Sequence, residues 1–190
     1  MAPYLTHSLM PANFRDVGEM LSIWFDPSPL LPGLLYRGGK LGPIMGPTLA
    51  APVRTVVNLR ASPDAPMVDV CMAHHPAPRG IDRYDTHLRP VRAWVADVMA
   101  RLTDPAMEWP IYLHCASGRD RTGVIVAAAL LCIGIDREIV EQEYLLSDDA
   151  DLASMRRAVD GLLGFEGWRP KRLMGPLADA AATLRRRSTR

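Results

Sequence analysis

Residues 111–123 read Ile-Tyr-Leu-His-Cys-Ala-Ser-Gly-Arg-Asp-Arg-Thr-Gly, and an apolar run from Val124 to Ile133 follows them. The apolar residues at the start of this stretch predict a short strand, and the longer run after it predicts a helix. A tight polar loop joins the two, with Cys115 at the end of the strand and Arg121 at the start of the helix. The stretch therefore predicts a strand, a loop and a helix in succession.

The loop is suited to bind a tetrahedral dianion. Backbone N–H groups that curl into a helix N-terminus form an anion-binding concavity, and the helix dipole adds a favourable potential. Arg121 carries a planar and permanently charged guanidinium that can donate two parallel hydrogen bonds to an oxyanion. The same positive field favours Cys115 as the thiolate, which is the nucleophilic form of cysteine.

The sequence from His114 to Gly123 resembles the signature loop of the cysteine-dependent protein tyrosine phosphatases. Its Arg-Asp-Arg-Thr-Gly ending is similar to the bacterial branch of that family, which has Lys-Asp-Arg-Thr-Gly. Residues 13–18 (Asn-Phe-Arg-Asp-Val-Gly) resemble the N-terminal Asn-Phe-Arg-Asp motif of the branch. Residues 35–39 (Leu-Tyr-Arg-Gly-Gly) and 56–60 (Val-Val-Asn-Leu-Arg) resemble its Tyr-Arg-Ser-Gly and Val-Asp-Leu-Arg strands. The resemblance runs in order from about residue 13 to residue 147.

Because the chain departs from this family pattern at several positions, the resemblance does not identify the substrate. Glu19 stands where the family usually has a second glycine, Asn58 replaces the aspartate before Leu-Arg, and Arg119 stands where a lysine is common. Nothing in the chain resembles the long helical insertions that some members place over the active site. These changes leave the expected chemistry intact.

The composition is typical of one globular enzyme domain. A chain of 190 residues is long enough to bury a substantial core. We expect a single domain over residues 1–190, with its core at about 13–147 and a C-terminal helical part at about 148–187. A net charge of +1 predicts no general attraction to nucleic acid or to a membrane surface. The longest apolar run, Val124 to Ile135, is too short to span a bilayer, so no stable membrane insertion is expected.

The cysteines and the first residues favour a cytoplasmic location. Three cysteines without regular spacing argue against a disulfide scaffold. The first residues lack the charged start and apolar core of a secretory signal. A thiolate nucleophile also needs a reducing compartment, and the abundance of Ala, Arg and Pro favours a bacterial source.

Apolar periodicity predicts alternating strands and helices. Gly134 is expected to end one helix and Asp136 to begin the next. The alternation predicts an α/β fold with a mostly parallel central sheet flanked by helices, tyrosine-phosphatase-like by resemblance, and a ligand site at the carboxyl ends of the strands. The expected strands are 34–37, 55–59, 83–88 and 109–113; the expected helices are 91–102, 121–133, 137–146, 150–163 and 170–186; residues 44–50 are a poor helix and 60–80 a long loop.

Hydrolysis of a phosphate monoester needs a nucleophile and groups that stabilise the developing charge. Cys115 is expected to attack phosphorus and form a cysteinyl-phosphate, which water then releases. Thr122 can donate its hydroxyl to the sulfur and ease its departure. Arg121 and the loop amides are expected to bind the equatorial oxygens. The expected substrate-binding residues are Ala116, Ser117, Gly118, Arg119, Asp120 and Arg121.

Several other residues are expected to support the loop. The resemblance implies that His114 orients the loop through hydrogen bonds and does not act as a base. Arg15, Asp16, Tyr36 and Arg60 lie at positions that in the family are near the active-site loop. We expect them to act as supports without contacting the substrate.

The leaving oxygen needs a proton, and two sources remain open. The resemblance suggests the aspartate inside the loop, Asp120, which we favour as the general acid. Asp120 could instead pair with Arg119 or accept hydrogen bonds at the helix N-terminus. The alternative acid is an upstream carboxylate, for which the candidates are Asp64, Asp69, Asp82, Asp85 and Asp97.

A zinc site is the main alternative use of the region around Cys71. Cys71, His74 and His75 have a spacing that could ligate metal with Asp82 or His87. The region lacks a second clear ligand pair, so no metal and no cofactor is predicted.

The two cysteines outside the loop, Cys71 and Cys132, are expected to differ in role. Cys71 could be a second thiol that captures oxidised Cys115. Cys132 is expected to be buried in the helix after the loop.

The expected function is that of a phosphatase acting on a phosphorylated protein or a small phosphomonoester. A tyrosine or dual-specificity protein phosphatase is favoured, and a phosphoinositide or inositol phosphate phosphatase of the same fold is the alternative. A non-catalytic phosphate-binding module usually lacks the nucleophile, the arginine or the hydroxyl, and Cys115, Arg121 and Thr122 are all present. Sulfurtransferases match less well because their loops are shorter and lack the Arg-Thr-Gly ending. No nucleic-acid partner is expected.

Overall fold

The structure is a computed structural model that describes residues 10–41 and 53–188. The predicted poor helix at 44–50 lies outside the described residues. The strands are β1 (Arg15–Asp16), β2 (Leu35–Gly38), β3 (Thr55–Asn58), β4 (Cys71–His74) and β5 (Ile111–His114). The helices are α1 (Val17–Leu21), α2 (Arg89–Leu102), α3 (Asp120–Ile133), α4 (Arg137–Leu145), α5 (Leu152–Leu163) and α6 (Gly175–Ser188), with a short 3-10 helix at Glu166–Trp168.

The five strands form one sheet in the order β1-β2-β5-β3-β4. β5 pairs in parallel with β2 and β3, β3 pairs in parallel with β4, and β1 is antiparallel to β2. The register sets Gly38, His114 and Asn58 side by side at the carboxyl ends of the three central strands. The mostly parallel α/β sheet predicted from the sequence is confirmed.

Alternate residues of the strands pack into two separate apolar clusters, as the period of two requires. Ile111 and Leu113 of β5 face the larger cluster, to which all six described α-helices contribute buried side chains. Tyr112 faces a smaller cluster with Val53 and Val56. The helices therefore press β5 from one side and hold its carboxyl end, where Cys115 follows.

Helix α3 is the central element of the larger cluster. Its residues from Thr122 to Leu131 are all buried, so the helix is apolar around its whole circumference. It ends at Gly134, whose φ of 97° lies in the left-handed region. The amides of Gly134 and Ile135 donate to the carbonyls of Leu131 and Leu130, which confirms the predicted C-terminal cap.

The strand predicted at 83–88 is wrong. Tyr84 and Thr86 are buried and their neighbours are more exposed, an alternation that resembles a strand. The segment instead forms consecutive turns, with the Tyr84 amide bound to the Asp82 carboxylate and the Thr86 hydroxyl bound to the Ala158 carbonyl at 2.7 Å. Tyr84 contacts Asp120 of α3 and Tyr144 of α4, and Thr86 contacts α5, so the burial of both side chains comes from helix packing and not from a sheet.

Four short elements are absent from the prediction, among them the 3-10 helix at Glu166–Trp168. Strand β4 falls inside the predicted loop 60–80, because it is a four-residue edge strand with a mostly exposed pattern. Strand β1 and helix α1 are likewise too short for a periodic signal. Asp136 does precede α4 as predicted, but its side chain makes no capping hydrogen bond. Within the described residues, no helix is long and apolar enough to cross a membrane.

Candidate active site

The loop from Cys115 to Arg119 connects β5 directly to α3. Gly118 has a φ of +75°, and a Cβ at this position would lie 2.3 Å from the carbonyl carbon of Gly38. Both the dihedral angle and the close approach to β2 exclude a side chain. The tight turn of the loop against β2 therefore requires glycine at position 118.

Cys115 is the first residue of the loop, and 1% of its surface is exposed. Burial by itself would raise the pKa of its thiol. The hydroxyl and amide of Thr122, the charge of Arg121 and the amide of Gly118 outweigh burial, so the pKa of Cys115 is lowered. The site therefore favours the thiolate at this sulfur.

Thr122 and Arg121 occupy the first turn of α3. The Thr122 hydroxyl is buried and has no nitrogen or oxygen partner among the described residues, which leaves it free to donate to the Cys115 sulfur. Arg121 is half-buried, and its Nη1 donates to the Leu59 carbonyl at 3.3 Å. The long contact leaves most donors of this guanidinium available to a ligand.

His114 is fully buried in a chain of polar contacts. Its Nε2 lies 2.7 Å from Asp64 Oδ2, and Arg60 donates to the other carboxylate oxygen at 3.0 Å. Its Nδ1 lies 3.2 Å from the Cys115 carbonyl, and Tyr112 stacks on the ring. Burial lowers the pKa of His114, although Asp64 partly opposes this effect. The histidine thus links the start of the loop to Asp64 and Arg60.

Asp120 is the first residue of α3, and it accepts several hydrogen bonds. Its Oδ1 accepts from the Tyr84 hydroxyl at 2.7 Å and from Arg119 Nε at 2.9 Å, and Arg83 lies 3.9 Å from its Oδ2. Burial opposes ionisation, but the Arg119 and Tyr84 hydrogen bonds and the two arginine charges outweigh it, so the pKa of Asp120 is lowered. Tyr84 also contacts the Tyr144 hydroxyl at 2.7 Å.

A buried ion-pair network supports the loop from below. Arg37 of β2 is 0% exposed, and it donates to Glu143 at 2.6 Å and to the Gly118 carbonyl at 2.9 Å. Arg15 of β1 donates to the same Glu143 carboxylate at 2.8 Å and to Ser147. Burial lowers the pKa of Arg37 to about 10, although Glu143 opposes this effect. Glu143 therefore joins two arginines, one of which holds the loop.

Asn13 fastens the same loop from the N-terminal side. Its side-chain amide donates to the Ser117 carbonyl at 2.9 Å, and its carbonyl oxygen accepts from the Asp148 amide at 2.8 Å. The Lys40 amide donates to the Ala116 carbonyl at 3.1 Å. Residues far apart in sequence thus fix successive carbonyls of the loop.

A cavity of about 560 Å³ opens beside the loop. Its wall consists of Arg121, the segment from Ala77 to Tyr84, Ala61 and Ser154. Basic side chains prevail in this wall, since Arg79 and Arg83 are there together with Arg121. The cavity has the position and the charge to receive a ligand whose anionic group binds the loop.

A family model described as the tyrosine phosphatase family matches residues 9–182 of this chain. The chain belongs to the tyrosine phosphatase family. The match includes β1 to β5 and the whole loop, so the resemblance seen in the sequence is confirmed as family membership.

Three individual proteins are similar to this chain in sequence or in fold. The chain is 44% identical over 41 residues to the triple specificity protein phosphatase PtpB of Mycobacterium tuberculosis, a match that covers 22% of this chain and 15% of PtpB. A crystal structure of P. aeruginosa TpbA in complex with phosphotyrosine is 25% identical, with a TM-score of 0.56 over 76% of this chain and 91% of TpbA. The core catalytic domain of the PP-IP phosphatase SIW14 of S. cerevisiae, bound to citrate, is 13% identical with a TM-score of 0.54 over 82% and 91% of the two chains, and shares the fold.

The other residues predicted to support this tyrosine phosphatase loop lie at different distances from it. Arg60 reaches it through Asp64 and His114, and Arg15 through Glu143 and Arg37. Asp16 instead caps α1, accepting from the Gly18 and Glu19 amides, and Tyr36 stacks on Phe14. The positions of Arg15 and Arg60 suit a supporting role, whereas the contacts of Asp16 and Tyr36 are with other parts of the fold.

Sequence reasoning missed Arg37 and Asn13 as contacts of the loop. It also missed Glu143 as the partner of Arg37, and Tyr84 as the partner of Asp120. Asn13 and Arg37 lie inside the motifs at 13–18 and 35–39, so the motifs themselves could have indicated them. Glu143 and Tyr84 carry no sequence signal, because only the packing of α4 and of the 81–88 turns brings them to the loop.

The position of Cys71 does not allow it to capture oxidised Cys115. Cys71 is exposed and registers through β3 with Ile111, four residues before Cys115. That separation is about 13 Å along the sheet and about 10 Å across it, whereas a disulfide needs Cα atoms within about 7 Å. Cys71 is therefore out of reach of Cys115.

The residues considered for zinc have other partners. His75 contacts Asp97 at 2.7 Å, and His74 contacts the Arg60 carbonyl. In the ranges 10–41 and 53–188, no group of three or more His, Cys, Asp or Glu side chains could hold a metal ion. Cys132 is half-buried in α3, and burial raises its pKa to about 11.

Proposed function

We propose that the protein hydrolyses phosphate monoesters through a cysteinyl-phosphate intermediate. The observation that carries this proposal is Cys115, whose pKa is lowered in a buried position at the start of a loop of amides next to Arg121. A thiolate, a guanidinium and a helix N-terminus together provide a nucleophile and a site for the phosphoryl oxygens.

In the first step the Cys115 sulfur attacks phosphorus in line with the leaving oxygen. The S–P bond forms, the bond between phosphorus and the leaving oxygen breaks, and the proton of Asp120 goes to that oxygen. Arg121 and the amides of the loop bind the equatorial oxygens throughout. In the second step water attacks phosphorus, its proton returns to Asp120, and the S–P bond breaks while Thr122 donates to the departing sulfur.

Asp120 is proposed as the acid because it begins α3 next to the loop and has hydrogen-bond partners that orient it. Its lowered pKa means that the carboxylate form prevails in the free enzyme. Binding of a phosphate dianion raises the pKa of a nearby carboxyl, because like charges disfavour ionisation. The substrate therefore favours the protonated form that the first step needs.

Asp82 is the second candidate for the acid, because it lines the cavity with Arg121. Its carboxylate is engaged by Arg157 and by the Tyr84 amide. Asp64 binds His114, and the Asp97 carboxylate binds His75. These contacts make Asp64 and Asp97 poor candidates.

We propose a phosphorylated tyrosine, or a dual-specificity set of phosphorylated residues, as the substrate. Membership of the family and the likeness to TpbA bound to phosphotyrosine support this choice. The name of SIW14, a PP-IP phosphatase, keeps inositol phosphates as the alternative.

We further propose that the chain forms one domain and acts in the cytoplasm of a bacterium. The contribution of α6 to the same buried cluster as α3 supports one domain. The need of a thiolate for a reducing compartment and the kinship with bacterial TpbA and PtpB support the location.

The test is hydrolysis of 4-nitrophenyl phosphate across pH under reducing conditions. Wild type and Cys132→Ser, which changes a thiol of α3 outside the loop, are expected to turn over, and Cys115→Ser is expected to be inactive. Asp120→Asn is expected to lose the basic limb of the kcat/KM profile, and Asp82→Asn to retain it. If Asp82→Asn loses the basic limb and Asp120→Asn retains it, Asp82 is the general acid. If the wild type is inactive but binds phosphate, the protein is a phosphate-binding module and not an enzyme.

A further inference from the structure

The cavity beside Arg121 is lined by two other arginines, Arg79 and Arg83. Both belong to the segment from Ala77 to Tyr84, which forms much of the cavity wall. In the proposed reaction, Arg121 binds the phosphoryl group that is transferred, and the cavity receives the part of the substrate next to that group. The charges of Arg79 and Arg83 are therefore available to the part of the substrate that lies beside its phosphoryl group.

Neither arginine is fully engaged by a carboxylate. Among the described residues, Arg79 makes no ion pair or hydrogen bond, and the nearest carboxylate of Arg83 is that of Asp120 at 3.9 Å, the limit of an ion pair. The acidic residue of the wall, Asp82, is paired with Arg157. These two arginines thus give the cavity wall positive charge that a bound anion could neutralise.

Both guanidinium groups lie at the mouth of the cavity. Arg79 is exposed, and the Arg83 side chain is 39% exposed. Gly80 between them has a φ of +70°, and a Cβ there would meet open space. A group that binds at this mouth is reached from solvent, as a residue next to the phosphorylated one in an extended polypeptide would be, at about 3.3 Å per residue.

We propose that Arg79 and Arg83 form a subsite for a carboxylate of the substrate, so that the preferred substrate is a phosphoprotein segment with an acidic residue beside the phosphorylated one. This inference rests on the proposed function. Guanidinium groups bind carboxylates through paired, charge-assisted hydrogen bonds, which gives such a subsite both affinity and orientation. The partly exposed position makes the interaction sensitive to salt.

The experiment compares two phosphotyrosine peptides that differ only in their neighbours, one with Asp and Glu and one with Ala beside the phosphotyrosine. The measured quantity is the ratio of their kcat/KM values. We expect a ratio of about tenfold for the wild type, since a charge-assisted hydrogen bond contributes about that much. The ratio should fall toward one in Arg79→Gln/Arg83→Gln and in 0.5 M salt.

The matched control is Arg54→Gln, an exposed arginine just before β3, at the opposite end of the strands from the loop, which should keep the wild-type ratio. An equal ratio for the wild type and the double variant would overturn the subsite. So would efficient hydrolysis of an inositol bisphosphate that depends on both arginines while the peptides show no preference.

Binding provides a readout that does not depend on turnover. The same two peptides are titrated against Cys115→Ser and against Cys115→Ser with both arginine substitutions. Weaker binding of the acidic peptide alone in the second protein supports the subsite, and equal loss for both peptides overturns it. If the wild type is inactive but shows this selective binding, the proposed catalytic function is wrong and the carboxylate subsite is still supported.

Discussion

Cys115 is a buried sulfur whose ionisation depends on a few neighbouring donors. Burial raises the pKa of a thiol, and only directed contacts can reverse that effect. Thr122 provides two of these contacts through its hydroxyl and its amide, and Arg121 adds charge. At the scale of single residues, the reactivity of the loop therefore depends on the first turn of α3.

Replacing Thr122 by Val removes the hydroxyl at nearly constant volume, so we expect the pKa of Cys115 to rise. A hydrogen bond to a charged group contributes about 1.5–3 kcal/mol, which corresponds to about one to two pKa units. The measurement is the pH dependence of iodoacetamide alkylation in a Cys71→Ser/Cys132→Ser background, which leaves Cys115 as the remaining thiol. An unchanged alkylation profile would contradict the role given to the hydroxyl.

Tyr84 donates to the carboxylate of Asp120, so Tyr84→Phe should raise the pKa of Asp120. If Asp120 must be protonated to act as the acid, the basic limb of the kcat/KM profile then moves to higher pH. The measurement is that profile with 4-nitrophenyl phosphate. Tyr36→Phe is the control, because Tyr36 stacks on Phe14 away from Asp120 and should leave the limb in place.

At the scale of elements, β1, β2 and α4 meet at one carboxylate. Glu143 of α4 is 1% exposed and binds both Arg15 and Arg37. Because Arg37 also holds the Gly118 carbonyl, the packing of α4 against the sheet is coupled to the shape of the loop. Strands β1 and β2 and helix α4 thus stabilise the loop together.

Glu143→Ala leaves two buried arginines without their carboxylate. Removing one partner of a buried ion pair costs about 3–5 kcal/mol of the free energy of unfolding. Urea denaturation measures the loss, and Glu138→Ala, an exposed change on the same helix, should alter it by less than about 0.5 kcal/mol. Equal effects of the two substitutions would show that the network has no special contribution.

At the scale of the whole molecule, stability should depend on the protonation of His114. Its folded-state pKa lies below the ordinary value of 6.5, so the folded protein binds fewer protons than the unfolded chain. The stabilising contribution is therefore complete above pH 6.5 and is lost as the pH falls from 6.5 toward the folded-state pKa. One such group changes the free energy of unfolding by at most about 1.4 kcal/mol per pH unit.

We therefore expect His114→Gln to show a smaller decline of the urea midpoint between pH 7 and pH 5 than the wild type. His87→Gln is the control, because His87 is exposed and should retain the wild-type decline. Should the decline be the same in all three proteins, His114 would not be the group that titrates.

Much of the fold was predictable because it depends on local pattern. The apolar run after the loop predicted α3 to within one residue, and the period of α2 predicted that helix to within two. The segment at 83–88 was predicted wrongly because helices that follow it in sequence bury its side chains. Tyr84 contacts Tyr144 of α4, and Thr86 contacts Ala158 of α5. Strand β4 was missed because an edge strand is stabilised mainly by backbone pairing, which leaves little trace in side-chain pattern.

The sequence by itself determined the order of strand, loop and helix, the cysteine and arginine of the loop, and the family. These depend on residues adjacent in the chain, whose spacing is visible in the sequence. Only the tertiary structure decided that Glu143 joins Arg15 and Arg37, that Tyr84 binds Asp120, and that Cys71 is remote from Cys115. The physical reason is that these relations depend on the register of the sheet and the packing of the helices, which bring together side chains far apart in sequence.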